Sequence, residues 1–186
     1  MEAFLVSTGI VVLAEIGDKT QLLALVLAAR YRRPVPVILG ILVATLANHV
    51  LAAWLGAEVA GALGRDALRW ILGVSFLAVA AWTLIPDKLE KEKPQSARLG
   101  AFAATFVAFF LVEMGDKTQI ATAALAARYA SIAAVVAGTT LGMMLADVPA
   151  VYFGERVLRR VPAKMVHRVA AASFALLGAL ALIDAG

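Results

Sequence analysis

The heptapeptide Glu-Ile-Gly-Asp-Lys-Thr-Gln at residues 15–21 returns as Glu-Met-Gly-Asp-Lys-Thr-Gln at residues 113–119. At the same offset of 98 positions, Leu27-Ala28-Ala29-Arg30-Tyr31 matches Leu125-Ala126-Ala127-Arg128-Tyr129. Gly40 matches Gly138, Gly56 matches Gly154, and Phe76 matches Phe174, with no gap between the copies. Units of about 90 residues are longer than solenoid repeats, so the chain reads as one domain half written twice.

Each copy holds three apolar segments: Phe4–Ala29, Val35–Leu55 and Ile71–Ile85, then Leu99–Ala127, Ile132–Phe153 and Val169–Ile183. A bilayer crossing takes about 20 apolar residues. The first two segments of each copy reach that length. The third is short and reads as spanning with Arg69, Trp70, His167 and Arg168 extending it at the interface. Trp54, Trp70 and Trp82 read as interface anchors. Apolar residues make up 62% of the chain and charged residues 16%, too few of the latter to cover a soluble surface. Phe4–Ala14 has the look of a signal-peptide core, but Met1-Glu2 gives no positive flank and the segment belongs to the repeat, so it reads as a mature helix. The absence of cysteine excludes disulfides, thiolate metal sites and Cys nucleophiles.

Three segments per copy is an odd number, so the second copy enters the membrane inverted. The charges agree. The side holding the N-terminus carries Arg65, Arg69 and Arg128. The other side carries twelve basic residues: Arg30, Arg32, Arg33, Lys88, Lys91, Lys93, Arg98, Arg156, Arg159, Arg160, Lys164 and Arg168. This is a positive-inside signal rather than a nucleic-acid footprint. The expected fold is an all-α integral membrane protein of six transmembrane helices, built as two inverted-topology three-helix repeats, residues 1–85 and 98–186. A polar, Pro-bounded cytoplasmic linker, residues 86–97, joins them. The expected location is the cell (inner) membrane, multi-pass, with both termini outside. Glu155–Arg168 reads as a basic surface segment on the cytoplasmic leaflet.

Seven charged residues fall well inside these segments: Glu15, Asp18, Lys19, Glu113, Asp116, Lys117 and Asp147. Facing lipid they would cost roughly 17 kcal/mol or more. They are therefore expected to face an internal cavity. In a continuous helix Glu15 and Asp18 share a face, as do Glu113 and Asp116. Gly17 and Gly115 between them permit a kink or a close backbone approach. Inversion brings both pairs together near the midplane. Converging carboxylates repel unless protons, the two lysines or a metal ion sit among them. Oxygen donors suit Mg²⁺, Ca²⁺ or Mn²⁺. Thr20, Thr118, Gln21, Gln119 and Asn48 offer neutral oxygens or a proton relay, and Asp147 a fifth carboxylate. Lys19 and Lys117 read as charge balancers. An ion displacing protons from such a cluster is proton–cation exchange in electrostatic form. The competing reading is a structural ion-pair network, against which stands the excess of acid over base. His49 and Met143-Met144 read as satisfied interior residues, and Asn48 equally as an interhelical hydrogen-bonding group.

The duplicated Glu-x-Gly-Asp-Lys-Thr motif in a six-segment chain with a polar central linker resembles the Gdt-type cation/proton exchanger family. Both copies match its pattern Glu-x-Gly-Asp-(Lys/Arg)-(Ser/Thr), and the similarity covers the whole chain. The resemblance implies a secondary transporter, not an enzyme, exporting Mn²⁺ or Ca²⁺ from the cytoplasm in exchange for protons. It implies that Glu15, Asp18, Glu113 and Asp116 are cation ligands. With no long N-terminal extension before the first motif, it implies the bacterial manganese-exporter branch. The expected partners are the divalent ion, protons and the lipid bilayer, with no cofactor and no nucleic acid. Two alternatives remain open. One is an exporter of an amino acid or similar solute on a related six-helix plan. The other is an intramembrane aspartyl-type hydrolase, disfavoured because each motif Asp is preceded by Glu-x-Gly and followed by Lys.

Overall fold

The computed structural model describes residues 1–85, 100–129, 131–153 and 163–183. Among them lie eight helices: α1 Glu2–Glu15, α2 Lys19–Tyr31, α3 Pro34–Ala62, α4 Arg65–Thr83, α5 Ala101–Glu113, α6 Lys117–Arg128, α7 Ile132–Phe153 and α8 Ala163–Ile183. The linker 86–97, Gly154 and most of the basic segment 155–168 lie outside the described residues.

The chain is a multi-pass membrane protein, and among the described residues the only regular secondary structure is helix. Four helices are long and apolar enough to cross a bilayer: Pro34–Ala62, Arg65–Thr83, Ile132–Phe153 and Lys164–Ile183. The third segment of each copy is thus longer than its apolar run, because its helix starts upstream, at Arg65 in the first copy and at Ala163 in the second. Only 33–50% of each apolar window is buried inside the protein. Leu46, Val50, Trp54, Trp70, Val74, Leu145 and Leu176 point outward. Outward-facing apolar surface on this scale belongs in lipid.

The expected continuous helices over 4–29 and 99–127 are not formed. Each is broken at its motif. In the first, Ile16 has φ −63° and ψ 115°, Gly17 has φ 84°, and the Asp18 amide donates to the Glu15 carbonyl at 3.0 Å. These are the signs of a type II turn, whose third position needs a positive φ and so takes glycine. The second break repeats it: Met114 at φ −65° and ψ 117°, Gly115 at φ 80°, and Asp116 donating to Glu113 at 3.1 Å. Glu15 and Asp18 therefore do not share a helix face. Glu15 ends α1 and Asp18 caps the start of α2.

The copies interlock. α1 packs on α7, α3 packs on α5 and α6, and α4 packs on α8. Equivalent residues make reciprocal contacts. Phe76 and Phe174, 98 positions apart, stack with ring centroids 6.5 Å apart. A Cβ on Gly40 would stand 2.7 Å from Thr105 Cβ and 2.8 Å from the Phe102 carbonyl; one on Gly138 would stand 3.0 Å from Ser7 Cβ and 2.5 Å from the Phe4 carbonyl. Ser7 and Phe4 are the counterparts of Thr105 and Phe102. Contacts of the form i to j′ and i′ to j arise from a twofold relation, not a translation.

The glycine matches across the copies mark these close approaches. Gly138→Ala, which drives a methyl into a carbonyl that cannot move, is expected to lower the melting temperature by several degrees. Gly61→Ala in α3, where a Cβ meets nothing within 4 Å, is expected to leave it unchanged or raise it. Thermal denaturation of the purified protein in detergent checks both.

Candidate cation site

Each letter of the motif has a place in the turn. Glycine supplies the positive φ. The amide of Gly17, freed by the break, donates to Gln21 Oε1 at 2.9 Å, and that of Gly115 donates to Gln119 Oε1 at 2.6 Å. Thr20 Oγ1 donates to Glu15 Oε2 at 2.6 Å, and Thr118 Oγ1 to Glu113 Oε2 at 3.1 Å. Thus Thr20, Thr118, Gln21 and Gln119, expected as ligands or relay groups, orient the glutamates and seal the turns. Asp18 Oδ1 accepts from the Lys19 amide at 2.7 Å at the start of α2.

The lysines cross between copies. Lys19 Nζ lies 2.8 Å from Asp116 Oδ1, and Lys117 Nζ lies 2.9 Å from Asp18 Oδ2. Charge balancing is what the sequence suggests for these lysines; it does not reveal that each serves the other copy. The Lys117–Asp18 pair is shut away from solvent, whereas the Lys19 side chain is 22% exposed. The ion-pair network of the competing reading therefore exists, but it consumes only two of the acids.

Three of the acids converge. Glu15, Glu113 and Asp116 are buried and each places one carboxylate oxygen within 4.8 Å of the others. Two oxygens on opposite sides of a Ca²⁺-sized ion stand about 4.6–5.2 Å apart, so this trio can close on one hard cation with little movement. Asp18 stands outside the trio, turned to Lys117. Asp147 is also buried. Glu15 Oε1, Glu113 Oε1, Asp116 Oδ2, Asn48 Oδ1 and both oxygens of Asp147 have no hydrogen-bond donor among the described residues. Buried oxygens are rarely left so, and a bound cation or a proton is what satisfies them. The C-terminal ends of α1 and α5 add the negative ends of two helix dipoles.

The other candidates are placed as follows. Asn48 Nδ2 donates to the Phe110 carbonyl at 3.1 Å, an interhelical bond, and leaves its oxygen free. His49 Nδ1 lies 3.4 Å from Thr140 Oγ1, inside the α3–α7 contact, and Met143 is fully buried in packing. Sequence reasoning missed Gln21 Nε2 donating to the Ala146 carbonyl at 2.9 Å and His167 Nε2 at 3.0 Å from the Ile16 carbonyl. Neither has a motif signal, because both depend on how the copies dock.

Removing one partner of a buried pair strands the other. Lys117→Met is expected to cost about 3–5 kcal/mol, and Lys117→Met/Asp18→Asn to recover most of it. Lys19→Met, at the more exposed pair, is expected to cost less. Thermal unfolding of the three variants measures the ranking.

A family model, divalent cation/proton antiporter GDT1, matches residues 3–91 and 101–186. A Vibrio cholerae protein described as "Putative manganese exporter" is 54% identical over 95% of this chain and 88% of its own length. GDT1-like protein sll0615 of Synechocystis is 29% identical over 95% of this chain and 94% of its own. GDT1-like protein 5 of Arabidopsis thaliana is 26% identical over 98% and 96%. No solved structure matches the chain. Two turns of the same acidic motif, joined by crossed lysines around converging carboxylates, thus sit in a chain that belongs to the GDT1 family of divalent cation/proton antiporters.

Proposed function

We propose that the chain exports Mn²⁺, with Ca²⁺ the second candidate, from the cytoplasm in exchange for protons, through one cation site shared by its two copies. The observation that carries this reading is the buried trio Glu15, Glu113 and Asp116 with its unpartnered oxygens. Asp147 and Asn48 are buried with oxygens that have no hydrogen-bond donor among the described residues and can join the site as it moves, while Asp18 serves through its pair with Lys117. Set the two crossed pairs aside and Glu15, Glu113 and Asp147 remain as acids with no cationic partner among the described residues. Such a surplus in a low-dielectric space holds protons when no metal is bound and gives them up to a divalent ion. An all-oxygen site selects a hard cation rather than a zwitterion or a thiophilic metal. The choice of manganese leans on the description of the Vibrio relative.

In this reading α1 with α2, and α5 with α6, each make one broken crossing, as transporters build their midplane sites. Together with α3, α4, α7 and α8 they give six crossings, two inverted repeats over 1–85 and 98–186. The joining segment 86–97 and the basic loops lie in the cytoplasm, at the inner membrane, with both termini outside.

Purified protein in liposomes carrying a trapped pH dye tests the mechanism. Mn²⁺ uptake is expected to drive protons the opposite way, and Glu15→Gln/Glu113→Gln to fall to the rate of protein-free liposomes. Uptake with no opposing proton movement, or normal transport by the double variant, refutes it. Stabilisation against heat ranks the ions. A bound ion at 100 times its Kd adds about 2.7 kcal/mol. Mn²⁺ is expected to stabilise more than Ca²⁺ or Mg²⁺, and lysine not at all.

A further inference from the structure

The two turns share one backbone geometry but differ in what holds them. At the first, His167 Nε2 of α8 lies 3.0 Å from the Ile16 carbonyl, and Gln21 Nε2 donates to the Ala146 carbonyl of α7 at 2.9 Å. A carbonyl only accepts, so the imidazole proton here is on Nε2. Both bonds fasten the first copy's turn to helices of the second copy. The 98-position offset names their counterparts: Arg69 of α4 with the Met114 carbonyl, and Gln119 with the Asn48 carbonyl.

Neither counterpart bond is formed among the described residues. Arg69 Nε is buried with no hydrogen-bond partner, and the nearest carboxylate to its guanidinium is Asp66, at 3.9 Å. Met114 is 53% exposed and Gly115 is exposed, whereas Ile16 and Gly17 are half-buried. The structure thus shows one turn fastened and the other without the matching bonds, while Arg69 Nε on α4 is a buried donor with no hydrogen-bond partner.

We propose that His167 and Arg69 are alternating latches of the transport cycle. His167 on the Ile16 carbonyl keeps the first turn closed in the conformation seen here. Arg69 on the Met114 carbonyl closes the second turn in the opposite conformation, in which His167 releases. Gln21 and Gln119 exchange their carbonyl partners in step. The two conformations then differ by trading one set of buried hydrogen bonds for its counterpart, which keeps them close in free energy, as a two-state carrier requires. Neither latch touches the carboxylate trio, so each is a positioning residue that sets which turn is open. This inference rests on the transporter reading in one respect only, that the site opens to each face in turn.

The chain has no cysteine, so single reporters label cleanly. Ile16→Cys and Met114→Cys are introduced one at a time into the full chain in liposomes and reacted with a membrane-impermeant maleimide added to either face. Met114→Cys is expected to react faster than Ile16→Cys. His167→Ala is expected to raise Ile16→Cys labelling about fivefold, the shift carried by one net hydrogen bond, and to lower Met114→Cys labelling. Arg69→Ala is expected to do the reverse. His167→Gln, which keeps an N–H donor, is expected to restore wild-type rates. Shifts of the same sign in both variants, no shift in either, or a Gln variant behaving like Ala overturns the proposal. Mn²⁺ binding, followed by calorimetry on the two alanine variants, is expected to stay within about twofold of the wild type. Opposed labelling shifts in a chain that binds no Mn²⁺ would retire the cargo reading and leave the latches standing.

Discussion

Five carboxylates and two ammonium groups share the interior of this membrane protein, and the rest of the fold answers to that imbalance. Desolvating one unpaired ion costs several kcal/mol, so the acids must sit beside cations, protons or donors. Two of them do so through Lys19 and Lys117, and the pairing runs between copies: Lys19 serves Asp116 and Lys117 serves Asp18. Pulling the copies apart would strand all four charges at once. The same bonds that lower the charge of the cluster therefore hold its two halves in register, which places Glu15 and Glu113 close enough to act on one ion.

A break in a membrane helix frees amides and carbonyls that lipid cannot satisfy. The motif resolves this with its own side chains. Gln21 and Gln119 accept from the glycine amides, and the Asp18 and Asp116 amides close the turns onto the glutamate carbonyls. Among the motif glutamates, the oxygen left without a donor in each copy is a carboxylate oxygen, Glu15 Oε1 and Glu113 Oε1. Each motif thus satisfies its own glycine amide and treats the two oxygens of its glutamate differently. That division explains why threonine follows lysine in both copies. A hydroxyl on one oxygen of each glutamate fixes its rotamer and leaves the other oxygen without a donor.

The membrane class, the duplication and the identity of the charged residues were legible from spacing alone, because burying charge in lipid is costly enough to leave an unmistakable pattern. The break was half legible. Glycine between Glu and Asp suggested a kink, but the helix-face argument for Glu15 and Asp18 assumed a continuous helix, and the apolar periodicity on either side gave no warning. Glu-x-Gly-Asp is also the pattern of a type II turn, with glycine at the third position, and reading it so would have placed the break correctly. The crossed pairing of the lysines, the bond from Gln21 to Ala146 and the one from His167 to Ile16 were not legible. Each depends on docking of helices from different copies, and a single sequence carries no trace of that beyond the repeat itself.

The duplication is not complete where it matters most for charge. Under the offset Asn48-His49 in α3 corresponds to Ala146-Asp147 in α7, so one copy contributes an amide and an imidazole where the other contributes a carboxylate. A site with perfect twofold symmetry would hold an even number of acids. The single Asp147 makes the unpaired number odd: Glu15, Glu113 and Asp147. A divalent ion neutralises two of the three, so a loaded site keeps one further negative charge or one proton. His49, at the equivalent place, is already engaged with Thr140 and adds no negative charge. Asymmetry at this one pair of positions thus gives one copy a carboxylate that the other lacks, beside a pair of glutamates that the copies share equally.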